Sequence, residues 1–148
     1  MKSKTIDSEN LISQDSKEKR PNLNSIYSGL FSVKSTPKFI AKESDPRANK
    51  FVFEYTIEIL NKAETPATLT ERRWVIIDGN GNREEVEGPG VVGETPLIQP
   101  GESFSYTSFC PLRTHWGTME GSYKMQTQDG EFFDIEIPRF FLVSSQKR

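Results

Sequence analysis

The stretch RWVIIDGNGNREEVEGPGVVGETPLIQPGESFSY, residues 73–106, decides the fold. It passes in succession through a strand, a hairpin, a glycine-rich loop and a Pro-Gly turn, which is the grammar of a β-sandwich. Inside it, Gly88-Pro89-Gly90-Val91-Val92-Gly93 has the GxGxxG spacing that cradles a phosphate at the start of a Rossmann helix. Here Pro96 and Pro100 follow at once and exclude a helix of useful length. Glu84, Glu85, Glu87 and Glu94 flank the loop against Arg83 alone, so the neighbourhood repels phosphate. Gly88, Gly90 and Gly93 are therefore read as residues that supply positive φ in a loop folded over the end of a sandwich. A backbone nest for an anion is the alternative.

Outward from this stretch the dominant period is two. Phe51, Phe53, Tyr55, Ile57 and Ile59 alternate with Val52, Glu54, Thr56 and Glu58, which gives one face to a core and the other to water. Similar runs cover 31–40, 69–78, 103–110, 119–127 and 131–137, with a short last run at 140–143 after Pro138. Ser44-Asp45-Pro46, Asp78-Gly79-Asn80-Gly81, Gln99-Pro100-Gly101 and Asp129-Gly130 supply turn chemistry between them. The Asp129-Gly130 pair predicts a tight type I′ hairpin. The expectation is an all-β fold, an antiparallel immunoglobulin- or fibronectin type III-like sandwich of 7–8 strands, with no amphipathic helix and no internal repeat.

The 148 residues suit one domain, residues 29–148, behind a flexible polar tail at 1–28, expected to be disordered because its few apolar members cannot offset chain entropy. A short segment around residues 6–12 that orders on a partner is the rival reading of the tail. The net charge of −2, from 19 basic and 21 acidic residues, argues against a grip on nucleic acid. One cysteine, Cys110, cannot make an internal disulfide, and no apolar run approaches the roughly 20 residues of a membrane helix. The expectation is a soluble cytoplasmic protein without membrane contact.

Several separated strings, in order, resemble the ApaG domain: Arg72-Arg73-Trp74-Val75-Ile76-Ile77-Asp78, Glu85-Val86-Glu87-Gly88-Pro89-Gly90-Val91-Val92-Gly93, Pro100-Gly101-Glu102, Tyr106-Thr107-Ser108, Gly117-Thr118-Met119-Glu120-Gly121-Ser122-Tyr123 and Ile137-Pro138-Arg139-Phe140-Phe141-Leu142. The resemblance spans residues 31–142. It implies a fibronectin type III-like sandwich, found as a small bacterial protein and as a domain of some eukaryotic F-box and polymerase-interacting proteins. It also implies a link to cobalt and magnesium homeostasis, and a name taken from a gene neighbour that hydrolyses diadenosine tetraphosphate; the bacterial members have no agreed activity. Arg73 departs from the family pattern, which usually has His before the Trp, and the polar tail is longer than in the compact bacterial form.

Catalysis finds little material. His115 is the one histidine, so with Cys110 it cannot assemble a soft-ligand metal site. An oxygen-rich magnesium site near Glu84, Glu85 and Glu87 competes with a solvated acidic edge. A Cys110–His115 dyad lacks a nucleophile elbow, and the segment 111–117 reads as a loop. Trp74 is the expected core plug. If Trp74 and Ile76 face inward, Arg73, Val75 and Ile77 face outward as apolar groups beside a cation, the usual composition of a protein-binding surface. Arg72, Arg73, Val75, Ile77, Val91 and Val92 form the candidate partner surface. The reading is a non-enzymatic interaction module that needs no cofactor and meets another protein. The alternatives are a sensor of phosphorylated small molecules or Mg-nucleotide at residues 88–93 and, last, a nucleotide phosphate hydrolase.

Overall fold

The computed structural model describes residues 23–27 and 29–144. The tail expected over residues 1–28 lies outside the described residues except for one helical turn, α1 (Leu23–Tyr27). Eight strands follow: β1 (Phe31–Phe39), β2 (Phe51–Asn61), β3 (Ala67–Asp78), β4 (Arg83–Pro89), β5 (Leu97–Ile98), β6 (Ser103–Leu112), β7 (Trp116–Thr127) and β8 (Phe132–Val143). They form two antiparallel sheets, ordered β1-β2-β6 and β4-β3-β7-β8, with β5 added to β3. The expected antiparallel sandwich is the fold. No helix among the described residues is long and apolar enough to cross a membrane.

Each sheet contributes its inward set to one core. Phe53, Ile57 and Ile59 from β2 meet Trp74, Met119, Tyr123, Ile135, Ile137 and Leu142 from the facing sheet. The Tyr106 and Tyr123 hydroxyls, at 2.5 Å, tie β6 to β7 across the interior. Asn61, fully buried, is satisfied throughout: Nδ2 donates to the carbonyls of Thr65 and Ile98, at 3.0 and 2.9 Å, and Oδ1 accepts from the Ala63 N–H. That accounts for a buried polar group with no chemistry left to offer.

Proline marks the strand at each end of both sheet orders. Pro37 lies in β1, Pro89 in β4, Pro111 in β6 and Pro138 in β8, the two ends of each sheet order. A residue without an N–H cannot complete a central ladder, and at an edge it discourages pairing with another chain. Pro138 also corrects the segmentation read from sequence. The runs at 131–137 and 140–143 are one strand, because a register shift opposite Glu120 takes up Pro138 and Arg139 as a bulge. The Asp129-Gly130 turn differs too. Only Gly130 has positive φ, at 87°, and the Thr127 carbonyl accepts from the Gly130 N–H, so this is a three-residue loop with a glycine bulge and not a type I′ turn. The turn after β3 repeats the device with Gly81 at φ 86°.

Candidate functional site

The site is organised by the alternation of β3. A register shift between Leu69 and Glu71 inserts one extra residue and sets the phase downstream. Arg72, Trp74 and Ile76 then fall on the inner face, and Arg73, Val75 and Ile77 on the outer. Trp74 is 2% exposed and makes edge contacts with Tyr55, Tyr123 and Phe140. It is the core plug. Arg72 is half-buried, on the same face, and does not belong to the outer surface on which it was expected.

The outer face grades from charged to apolar along the strands. Arg73 pairs with Glu85 and Glu87, each at 3.4 Å. Glu85, held by Arg83 first and then Arg73, has its carboxyl below the usual range. Further along, Ile77 stands beside Thr118, and Thr118 beside Phe141; the next row sets Trp116 beside Val143. Phe141 and Val143 are 56% and 58% exposed, and Trp116 38%. Val75 and Ile77 are half-buried members of this patch. The sequence reading named the β3 side of it and missed Trp116, Phe141 and Val143; the alternation over 140–143 carried the signal, but only the strand order places β7 and β8 beside β3.

The glycine loop is a latch. Gly88 lies in β4 without positive φ, and its bare Cα makes room for the Arg72 guanidinium, whose Nη2 would be 2.9 Å from a Cβ there. Arg72 Nη1 donates to the carbonyls of Pro89 and Gly90, at 2.9 and 3.0 Å. The Gly90 N–H donates to Thr70, and Val91 and Glu94 exchange backbone hydrogen bonds at 2.8 and 2.9 Å. Gly90 and Gly93 have φ of 60° and 82°, as the loop reading required. Val91 is fully buried in the core and is removed from the candidate surface; Val92 is 53% exposed with φ 42°. The chain then runs into β5 with no helix, and the N–H groups of Gly90, Val91 and Glu94 are already engaged inside the protein.

Three strands cannot cover four, and the surplus is β4. Between β4 and β6 the sheets part into a cleft of about 290 Å³ lined by Tyr55, Arg72, Trp74, Glu84, Ser108 and Cys110, among others. Glu84 faces it from an exposed position, on the opposite side of β4 from Glu85 and Glu87. The Cys110 thiol is pushed up to about 12, by burial and then by Glu84. Cys110 is 4% exposed, while His115 is exposed with its ring edge to Phe51. Buried and protonated, the thiol is inert as a nucleophile at neutral pH. Among the described residues no three His, Cys, Asp or Glu side chains gather as a metal site.

The family model "DUF525: ApaG domain" matches residues 41–127. Protein ApaG of Dechloromonas aromatica (strain RCB) is 52% identical over 112 residues, 76% of this chain and 88% of the relative. Protein ApaG of Methylobacterium sp. (strain 4-46) is 52% identical over 111 residues, 75% of this chain and 85% of that one. A crystal structure of a Bordetella pertussis protein provisionally named ApaA superposes with a TM-score of 0.76 at 42% identity, covering 79% of this chain and 95% of its own. A shared sandwich, matched over the latch, the plug strand and the β7 segment at this level of identity, is common descent: the chain belongs to the ApaG domain family.

Proposed function

We propose that the protein is a non-enzymatic interaction module of the cytoplasm, which docks another protein on the apolar end of its outer sheet face. The observation that carries this reading is the contiguous set Ile77, Trp116, Phe141 and Val143, of which three are large and exposed, on a rigid four-stranded face. Aromatic and aliphatic groups of this kind are the anchors of protein interfaces. The rim suits the role: Arg139 pairs with Glu120 at 3.2 Å and Arg83 with Glu85 at 2.7 Å, charges that set register more than affinity. A link to cobalt and magnesium homeostasis would then act through the partner.

A sensor of phosphorylated ligands at residues 88–93 has less support. Its N–H groups at Gly90, Val91 and Glu94 are engaged inside the protein. The test is co-purification from the source cell with the full chain and with Phe141→Asp, which should change stability by no more than about 0.5 kcal/mol at an exposed site. Partners retained by the wild type and lost by Phe141→Asp, with equal thermal unfolding, are the expected result. Identical capture by both proteins would overturn the assignment of this face. Sedimentation of the purified chain separates self-association from a foreign partner.

A further inference from the structure

The cleft between β4 and β6 holds more hydrogen-bond donors than the protein satisfies. Trp74 is 2% exposed, yet its indole Nε1–H has no acceptor. A buried donor left unmade bears its full desolvation cost, and one placed in the wall of a cleft is a reason to look for the acceptor outside the chain. Two residues away on the same face of β3, its backbone about 7 Å from that of Trp74, stands Arg72, which lines the same cleft. Its guanidinium is fixed through Nη1 by the Pro89 and Gly90 carbonyls and has no ion pair among the described residues. Tyr55 and Ser108, register partners on β2 and β6, add hydroxyls from the opposite sheet. The remaining wall, with Ile76, Val86 and Met119, is apolar.

A cation held by backbone and a neighbouring unpaired N–H together suit a planar carboxylate, which can accept from both. Apolar walls and a volume of about 290 Å³ suit a small body without charge. Glu84, on the exposed edge of the same cleft, repels a second negative group. We propose that this cleft binds a small organic monocarboxylate, its carboxylate on Arg72 and the Trp74 indole N–H, its apolar body against Ile76, Val86 and Met119. The site is independent of the outer face assigned above to a protein partner and stands or falls without it.

The chain has two tryptophans, Trp74 and Trp116, so a nitrogen-15-labelled full chain gives two indole N–H signals that Trp116→Phe assigns. Titration with cyclohexanecarboxylate should move the Trp74 signal saturably and leave that of Trp116 in place. Cyclohexylmethanol, succinate and inorganic phosphate should move it less or not at all. Arg72→Gln should weaken binding on the order of tenfold or more, the loss expected for a charged hydrogen bond. Because Arg72 also holds the loop, Tyr55→Phe is the second variant; it keeps the ring and should weaken binding severalfold with unfolding unchanged. A still Trp74 signal, an equal response to the alcohol, tighter binding of phosphate or succinate, or wild-type affinity in both folded variants would each overturn the assignment.

Discussion

Where β1 meets β8, the two sheets are joined by aromatic packing: Phe31 lies 5.5 Å from Phe133, and Tyr27 of α1 stacks on Phe133 at 4.2 Å and 14°. Asn24 adds an acceptor, at 2.8 Å, for the Asp134 N–H. Where β4 meets β6, the sheets stand apart, and the space holds a cation, an unpaired indole N–H, a buried thiol and a tyrosine hydroxyl. One side is closed by surface that gains from leaving water. The other keeps polar groups that would lose by closing without a partner. The fold is thus anchored on one long side, while the other keeps polar groups uncovered.

The sharpest attempt to break that contrast compares one phenylalanine from each side. Phe133, 2% exposed in the aromatic cluster, should cost about 3–5 kcal/mol when replaced by alanine, from lost transfer energy and a residual cavity. Phe109, 57% exposed beside the cleft, should cost below about 1 kcal/mol. Urea unfolding of both variants measures the difference, and equal losses would mean that the sides are not distinct.

Val91 tests where the recognition side ends and the core begins. Val91→Asp would place a carboxylate at a site with no exposure and should cost about 3 kcal/mol or more. Val92→Asp, one residue on and 53% exposed, should be near neutral in the same denaturant titration. Matching small losses would return Val91 to the surface.

The interior between the sides responds to alkali. Burial raises Cys110 from 9.0 to about 12 and also raises Tyr55, Tyr106 and Tyr123 above 10.0. Above pH 9 the unfolded chain releases protons that the folded chain retains, so stability falls as pH rises from 9 toward 12 and is fully present below 9. The slope is at most about 1.4 kcal/mol per pH unit for each group. Cys110→Ser should flatten the onset near pH 9, and unchanged stability of the wild type from pH 8 to 11 would contradict burial of these groups.

How much of this was legible in the sequence depends on the range of the signal. The alternation of 51–59 and the turn residues gave the strands and the sandwich, because each is decided by neighbours a few positions away. Trp74 as plug followed from the same local logic. The bulges in β3 and β8 were hidden, since an extra residue in one strand is visible only against its partner's register. That is why Pro138 looked like a break, whereas Arg72 lies across the strand from Arg73 by the same alternation that turns Trp74 inward. Val91 and Val92 looked alike as a pair in a loop, yet one is buried and the other exposed. The cleft was invisible, because β4 and β6 are brought together by the unequal width of two sheets and not by any motif.

The loop that closes the Arg72 latch separates steric from conformational demands. Gly90 has φ 60°, and a Cβ there would run into the Glu94 carbonyl oxygen. Gly90→Ala should cost about 1–3 kcal/mol. Gly88→Ala should cost less, since its φ is ordinary and the atom in the way, Arg72 Nη2 at 2.9 Å, ends a flexible side chain. Thermal unfolding ranks the two, and the reverse order would show that room for the guanidinium matters more than the turn.

The smallest effect expected is a gain. Val92 has φ 42°, a conformation in which a β-branched side chain crowds its own backbone, and most of its surface is in water. Asparagine adopts this region more readily, because its short polar side chain tolerates the left-handed geometry. Unlike glycine, it does so without the large unfolded-state freedom that would cancel the benefit. Val92→Asn should therefore stabilise the protein by a few tenths of a kcal/mol up to about 1 kcal/mol. The exposed methyl groups contribute little to packing, so their loss should not reverse the sign. Val92→Asn should leave the carboxylate response of Trp74 unchanged, because the Pro89 and Gly90 carbonyls that fix Arg72 precede it, and a changed response would mean that the strain holds the loop on which the latch closes. A loss of stability would place the strain elsewhere and make the side chain of Val92, not its backbone, the reason it is there.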